Sequence, residues 1–324
     1  MRMANMLVVV WAFATTARAE DVWNTPYAGV MHLDRTTGTP WSIHAVLVDL
    51  CAPGIRVRAS SDEERAQVTS AFAAEVGAAI AVNGDFFNWG AGYDTSGIAV
   101  GDGEPWPENT PDDRWALAAF GLERAELFSP LTVLEAEPWM SETIGGVPEL
   151  LVGGVTIDDY PGWSFCAVRH PRTALGLSED RRTLILVTVD GRSSESEGMT
   201  CPELAALMAE LGAHDAINLD GGGSTAMVMG GAVVNQPSDG SERVVGNHLG
   251  VVVDGSTGVD ACPGGGQRYT RRIGRRVGEL DQPSPEPSGP DLSEASGVAN
   301  GCSCQGSGGL PGLLALVTLW WRQP

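Results

Sequence analysis

A chain of 324 residues with 43% hydrophobic and 19% charged side chains has ample apolar content for a packed core, which excludes an intrinsically disordered protein. Lys plus Arg number 20 against 41 Asp plus Glu, and the formal charge of −21 repels nucleic acid and anionic membrane surfaces. The 42 glycines and 20 prolines favour many turns and short strands, so an all-helical bundle is out.

The N-terminus reads Met1-Arg2-Met3, then an apolar run from Met6 to Ala14, then small residues at Ala17 and Ala19. That is the pattern of a secretory signal over residues 1–19, cleaved after Ala19. A folded body is expected over residues 20–256 and a Gly/Pro/Ser-rich linker over 257–301, whose basic cluster Arg268 to Arg276 reads as a solvated face. Residues 302–324 form a tail: Cys302-Ser303-Cys304, a Gly-rich spacer, the apolar stretch Leu310 to Trp321, and Arg322. That stretch is too short to cross a bilayer comfortably, since a helix needs about 20 residues. The tail resembles the C-terminal sorting tails of myxobacterial surface proteins, which implies cleavage near Cys302 and anchoring at the cell surface. A plain membrane-associating tail is the alternative. Export to the surface or the medium permits disulfides, and Cys51, Cys166, Cys201 and Cys262 lie in the body. Four cysteines allow three pairings, and sequence does not choose among them.

In chain order, Ile43, Ala45 and Leu47 alternate as a half-buried strand over Ser42 to Leu50 requires, and Ile55 to Ala59 repeats the signal. Ser61 and Glu64 form a capping box, predicting a helix whose apolar face is Val68, Phe72 and Val76. Ala78 to Val82 reads as a buried strand, Gly101 to Asp113 as an exposed loop, and Trp115 to Phe128 as further strand. A hairpin follows, Thr173 to Leu177 and Thr183 to Val189, with its second strand apolar on both faces. Thr200, Pro202 and Glu203 open a second helix that runs to Leu211. Ala216 to Leu219 is a strand, Asp220 to Gly223 a glycine turn, Thr225 to Met229 with Ala232 to Val234 a hairpin, and Leu249 to Val253 a closing strand. The expected class is α+β: a strand-rich mixed or antiparallel sheet packed with a few helices in a single catalytic domain.

Polar residues collect just after the buried strands. The sharpest group is Asp220-Gly221-Gly222-Gly223-Ser224-Thr225, where three glycines let the backbone turn and let N–H groups face an anion. It lacks the Lys of a phosphate-binding P-loop. In Val189-Asp190-Gly191-Arg192 the carboxylate leaves a strand buried on both faces. In His170-Pro171-Arg172-Thr173 an Arg at a strand start can fork onto two oxygens of a phosphate. Asn83-Gly84-Asp85-Phe86-Phe87 adds an amide, a carboxylate and two aromatics read as core, and Asn247 adds another amide. The five His (32, 44, 170, 214, 248) show no i, i+4 pair, so a zinc hydrolase is not supported. Asp190, Asp220 and Asn83 offer hard oxygens to Ca²⁺ or Mg²⁺, but no EF-hand spacing is present, and no cofactor is expected.

The order of these motifs resembles the phosphodiester glycosidase family: Asn-Gly-x-Phe-Phe, Pro-Arg-Thr-Ala-x-Gly, Val-Asp-Gly-Arg, Glu-Leu-Ala on a helix, Asn-Leu-Asp-Gly-Gly-Gly-Ser and Val-Gly-Asn. The likeness runs from about residue 79 to 253. It implies an α+β hydrolase that cleaves a sugar from a sugar-1-phosphodiester, in bacteria commonly on envelope or exopolysaccharide glycans. Asp220 is then the expected catalytic carboxylate, Asp190 its partner or orienter, and Arg172 the phosphate-binding cation, with the amides of Gly221, Gly222 and Gly223 beside it. Asn83, Gly84, Thr173, Ser224, Thr225 and Asn247 would hold sugar and phosphate oxygens. Asp85 stands where such sequences vary and joins the substrate contacts, not the essential carboxylates. A non-catalytic glycan-binding protein and a metal-dependent phosphodiesterase are the alternatives. Inversion or retention, the sugar and a homodimer are left open.

Overall fold

The computed structural model describes residues 20–107, 109, 112–255 and 262–263, all in the first of two units into which the chain divides, residues 1–277 and 278–324. The signal at 1–19, the tail at 302–324 and nearly all of the linker lie outside the described residues.

Every described strand pairing is antiparallel, and the described α-helices are Thr69–Val76 and Cys201–Glu210. The class is therefore α+β, with antiparallel sheets around two helices. An eight-stranded sheet runs in the order Glu20–Tyr27, Val30–Thr36, Ser42–Asp49, Thr183–Val189, Arg172–Leu177, Asp215–Asn218, Glu149–Val152, Val155–Thr156. One five-stranded sheet is centred on Ala78–Asn83 between Met227–Met229 and His248–Val253, and a second is centred on Glu142–Gly146.

The large sheet is covered on both faces. One side packs Val46, Val48, Leu175, Leu184, Leu186 and Ile217 against Ile80, Val82, Leu249 and Ile144 of the smaller sheets. The other packs Ile43, Ala45, Ile185, Val187 and Ala174 against Leu204, Ala205 and Met208 of the second helix. Ser42–Asp49 is consequently buried on both faces, and not half-buried as its alternation suggested. His44 is the one polar residue of this strand buried in that setting, stacked on His32 of the neighbouring strand with ring centroids 5.6 Å apart.

The first helix starts later than its capping box predicts. Ser61 N does donate to Glu64 Oε2 at 2.8 Å, but the box closes only a 3₁₀ turn, Asp62–Glu64. Ala66 at φ 59° then breaks the path, because a residue in the left-handed region cannot continue a right-handed helix. The α-helix begins at Thr69 and buries Phe72 and Ala73 against Ala78 and Ala81. The second helix matches its sequence signals: Thr200 Oγ1 accepts from Glu203 N at 3.3 Å, and Glu203 Oε2 accepts from Thr200 N at 2.9 Å. Disulfides join Cys51 to Cys262 and Cys166 to Cys201, which fits folding in an oxidising, extracellular or lumenal compartment. Among the described residues no helix is long and apolar enough to cross a membrane.

Glu142, at the head of Glu142–Gly146, is 8% exposed and lies 3.6 Å from Arg58 Nη1. Its Oε2 accepts from Ala59 N at 2.7 Å and Asp102 N at 3.2 Å. Burial outweighs these contacts and lifts its pKa to about 7. A carboxyl raised on folding favours the folded state below its ordinary value near 4.5 and loses that contribution as pH rises through about 7. Glu142→Gln should therefore gain stability relative to the parent between pH 4.5 and 8, by at most about 3 kcal/mol. Thermal melts across that range check it, and a difference independent of pH would refute the assignment.

Candidate active site

The antiparallel register brings the polar loops to one end of the sheets. Arg172 pairs with Val189, Ala174 with Asn218, and His248 with Asn83. The residues just beyond those positions, namely Asp190, Asp220, Gly84 and Asn247, are thereby gathered. Asn83 is the rivet between the two sheets: its Oδ1 accepts from Thr173 Oγ1 at 2.7 Å and Ala226 N at 3.1 Å, and its Nδ2 donates to the Asp220 carbonyl at 2.7 Å. The Asp220 amide donates back to Gly84 O at 3.0 Å. Asn247 closes the ring, accepting from Asp85 N on Oδ1 at 2.7 Å while its carbonyl accepts from Gly84 N at 2.9 Å. Only glycine fits at position 84, since a Cβ there would overlap Asn247 Oδ1 and Ile144 Cδ1.

Asp220 is half-buried at the head of the glycine triplet, its Oδ1 accepting from Gly221 N at 2.9 Å. Burial raises its pKa to about 6, against the opposing effects of Ser224, the Gly221 amide and Arg243. Asp85 is 1% exposed, with Oδ1 accepting from Trp115 Nε1 at 2.8 Å and Oδ2 from Gly97 N at 2.7 Å. Burial first, and repulsion from Asp220 as well, lift Asp85 to about 7. Burial is therefore the main cause of both raised carboxyls, and the charge of Asp220 adds a smaller push on Asp85.

Arg172, expected to bind phosphate, and Asp190, expected as partner or orienter of Asp220, are both engaged by other groups of the protein. Asp190 is 5% exposed and latches three segments: Oδ2 accepts from Ser42 Oγ at 2.9 Å, and Oδ1 from Asn235 Nδ2 at 3.0 Å and Gln236 N at 2.9 Å. Arg172 is 2% exposed, lies against the Phe165 ring, and donates to the carbonyls of Met199, Phe165 and Val168 at 2.7–2.9 Å. Burial, and then its neighbour Arg192, depress its pKa to about 10. Its fork is engaged by backbone instead of opening toward a phosphate.

Arg192 is the exposed cation of this loop. Its backbone takes φ 62°, and a Cβ on Gly222 would lie 2.9 Å from its Nη2, so the guanidinium covers the triplet. Among the described residues no carboxylate pairs with it. Gly221 N is engaged by Asp220 and Gly222 N by the Pro171 carbonyl at 2.9 Å, and the Arg243–Asp239 ion pair lies against Gly223. Ser224 and Thr225 are buried beneath, Thr225 Oγ1 without a partner among those residues, and Arg243 Nη1 lies 3.3 Å from Ser224 Oγ. Burial first, and then Arg172 and Arg192, lower the His170 pKa. No three His, Cys, Asp or Glu side chains converge on a metal position among the described residues.

The aromatics of the Asn83 loop are not plain core. Phe86 meets Trp115 and Phe165 at 6.2 and 6.0 Å between centroids, while Phe87 turns to the other side and meets Trp89 and Tyr93 at 5.0 and 5.4 Å. Sequence reading missed Arg192, Trp115, Asn235 and Arg243. Arg192 stood inside the Val-Asp-Gly-Arg motif, but the other three lie too far along the chain for spacing to connect them to the site.

The model of the phosphodiester glycosidase family matches residues 76–252, more than half of the chain. The chain belongs to that family. Among curated relatives, the SPbeta prophage-derived uncharacterized protein YomE of Bacillus subtilis (strain 168) is 43% identical over 83 residues, 26% of this chain and 13% of that protein. The N-acetylglucosamine-1-phosphodiester alpha-N-acetylglucosaminidase of Bos taurus is 41% identical over 76 residues, 23% of this chain and 14% of that protein. The matched stretch thus spans about one-seventh of these relatives. Among solved structures, the zebrafish N-acetylglucosamine-1-phosphodiester alpha-N-acetylglucosaminidase catalytic domain, auto-inhibited by its pro-peptide, superposes with a TM-score of 0.56 at 23% identity. It covers 73% of this chain and 89% of that one. A hypothetical protein from Synechocystis gives 0.55 at 17% identity over 69% and 62%. At these identities both speak for the shared fold of the family.

Proposed function

We propose that this chain is an exported hydrolase that releases the sugar of a sugar-1-phosphodiester, acting on envelope or exopolysaccharide glycans. One observation carries the reading: a half-buried carboxyl held near pKa 6 beside a cation without a carboxylate partner, Asp220 next to the Gly222 turn that Arg192 covers. In such a substrate the leaving group is a phosphate monoester, stable enough to depart without strong protonation, unlike an ordinary alkoxide. Catalysis then needs positive charge on the departing phosphate, which Arg192 supplies, and negative charge near the anomeric carbon, which Asp220 supplies. The bond between that carbon and the phosphate oxygen breaks with its electron pair going to phosphate. Water supplies the oxygen that replaces it and passes its proton to the Asp220 carboxylate, which returns it to solvent. Asp85 lies too deep to touch a sugar and holds Trp115 and the Gly97 backbone in place behind Asp220. Asp190 and Arg172 hold the loops that present Arg192 and the triplet.

The test follows free sugar and sugar-1-phosphate separately, using the full chain with UDP-N-acetylglucosamine and other sugar-1-phosphodiesters, with and without EDTA. Free sugar that survives EDTA is expected. EDTA-sensitive sugar-1-phosphate would instead mean cleavage at phosphorus. Asp220 must be ionised to act, so kcat/KM should rise with pH through about 6. A profile that falls across that point would show the protonated form to be the active one.

A further inference from the structure

A cavity of about 380 Å³ lies apart from the catalytic loops, and none of the residues discussed for the active site lines it. It opens between the strand Ile55–Ala59, the hairpin of Ala116–Phe120 with Ala125–Phe128, and the head of Glu142–Gly146. Ile55, Val57, Val76, Phe120, Ala125 and Val252 give it apolar walls, and Leu122, 73% exposed, marks an edge that meets solvent. Leu50 and Pro263 line it too, and because they adjoin Cys51 and Cys262 the disulfide between those cysteines frames one side. A cleft of this size, apolar with a few convergent polar groups, is of the kind that holds a small molecule.

Its polar group is Glu142, which lines the cavity while only 8% exposed. Both hydrogen bonds that Glu142 accepts, from Ala59 N and Asp102 N, and its approach to Arg58 fall on Oε2. Oε1 takes no bond from any described residue and is not sealed off, so one oxygen of a buried carboxyl is left for the cavity. A buried acceptor without a partner is costly, and a ligand that supplies a donor removes that cost.

The charge around that oxygen says what the donor is. Arg58 serves three carboxylates of the lining at once: Glu64 at 2.9 Å, Glu142 at 3.6 Å and Asp102, whose side chain is 78% exposed, at 3.9 Å. The other two arginines of the lining are engaged elsewhere. Arg56 faces Asp254 at 3.7 Å, and Arg124 faces Glu126 at 3.6 Å with its guanidinium 4.2 Å from the Trp139 centroid. Three carboxylates around one guanidinium attract a further positive charge, most strongly where water is scarce. Burial lifts Glu142 to about 7, and a cation beside it favours the ionised form. An inorganic ion lacks its ligands here, since no three His, Cys, Asp or Glu side chains converge on a metal position among the described residues. The apolar walls suit carbon instead.

We infer that this cavity is a second binding site, separate from catalysis, for an organic cation with an apolar body. Its ammonium head meets Glu142 Oε1 and the Asp102 carboxylate, and its body packs on Phe120, Ala125 and Val252. The inference is independent of the reaction proposed above.

The experiment is calorimetry on the full chain at pH 8 with three probes: 4-phenylbutylamine, 4-phenylbutanol, which has the same body without the charge, and methylamine, which has the head without the body. The first should bind at least about tenfold more tightly than either of the others. Glu142→Gln keeps an oxygen for Ala59 N and Asp102 N, so the fold is retained. It should weaken 4-phenylbutylamine about tenfold and leave 4-phenylbutanol within about twofold. Between pH 8 and 5.5 the parent's affinity for the amine should fall about tenfold as Glu142 takes up its proton, and that of Glu142→Gln should stay level. Asp220→Asn should bind the amine as the parent does. No binding of the amine by the parent, equal binding of amine and alcohol, or an amine affinity unchanged in Glu142→Gln each overturn the inference. A loss in Asp220→Asn would place the amine in the catalytic site and overturn it as well.

Discussion

Asp220→Asn is expected to lower kcat/KM for sugar release by about a thousandfold or more while leaving the fold intact, the order of loss seen when a reacting group is removed. The two halves of this expectation come from the same geometry. The Asn side chain keeps an oxygen where Asp220 Oδ1 accepts from Gly221 N, so the turn is preserved. It removes a charge whose burial is unfavourable, since the Asp220 pKa stands at about 6 against an ordinary 3.8. A carboxyl raised in this way stabilises the fold below pH 3.8 and loses that contribution as pH rises through about 6. The Asn variant should therefore melt no lower than the parent at pH 8, and the activity loss should appear without a stability loss. Single-turnover assays beside thermal melts at pH 5 and 8 measure both. A variant within tenfold of the parent would move the essential carboxylate elsewhere, and Asp85 would be the first to examine. Asp85→Asn should be milder in activity, because Asp85 is 1% exposed and engaged by Trp115 Nε1 and Gly97 N.

What could be read without the structure follows the range of the interactions involved. The hairpin Arg172–Leu177 with Thr183–Val189, the helix from Cys201 and the glycine triplet depend on neighbours within a few residues, and each was legible. The N-terminal strand Glu20–Tyr27 was not, because it is almost wholly exposed and shows no alternation of apolar residues. Glu142–Gly146 was missed for the opposite reason: it is wholly buried, yet it contains a buried Glu and ends in two glycines. Gly145 has no room for a side chain because the Asp85 carboxylate and Gly97 lie against it, and that contact bridges 60 residues of sequence. The site divides along the same line. Motif order found Asp220, Asn83 and Asn247, which ends of adjacent strands bring together. It could not tell which of the loop cations and carboxylates turn inward, because Arg172 is captured by carbonyls of Phe165, Val168 and Met199, and Asp190 by Asn235 and Gln236.

That division makes the two arginines the sharpest contrast in the molecule. Arg192→Ala should reduce kcat/KM about 10²- to 10³-fold, the range for removing one preorganised partner of a developing negative charge. Melting should be little affected, because no described carboxylate or carbonyl depends on Arg192. Arg192→Lys should recover only part of the rate, since an ammonium lacks the planar fork that meets two phosphate oxygens at once. Arg172→Ala should behave in the reverse sense. It strands the carbonyls of Met199, Phe165 and Val168 in a site 2% exposed and removes the cation from the Phe165 ring, so it should cost stability by several kcal/mol. Any activity it loses should track the fraction unfolded. Guanidinium added to the medium should restore turnover to Arg192→Ala, whose cation faces solvent, and do nothing for Arg172→Ala, whose cavity is closed. Should the rescue fall on Arg172→Ala instead, the phosphate-binding cation is the buried one, and the loop must open on binding to expose it.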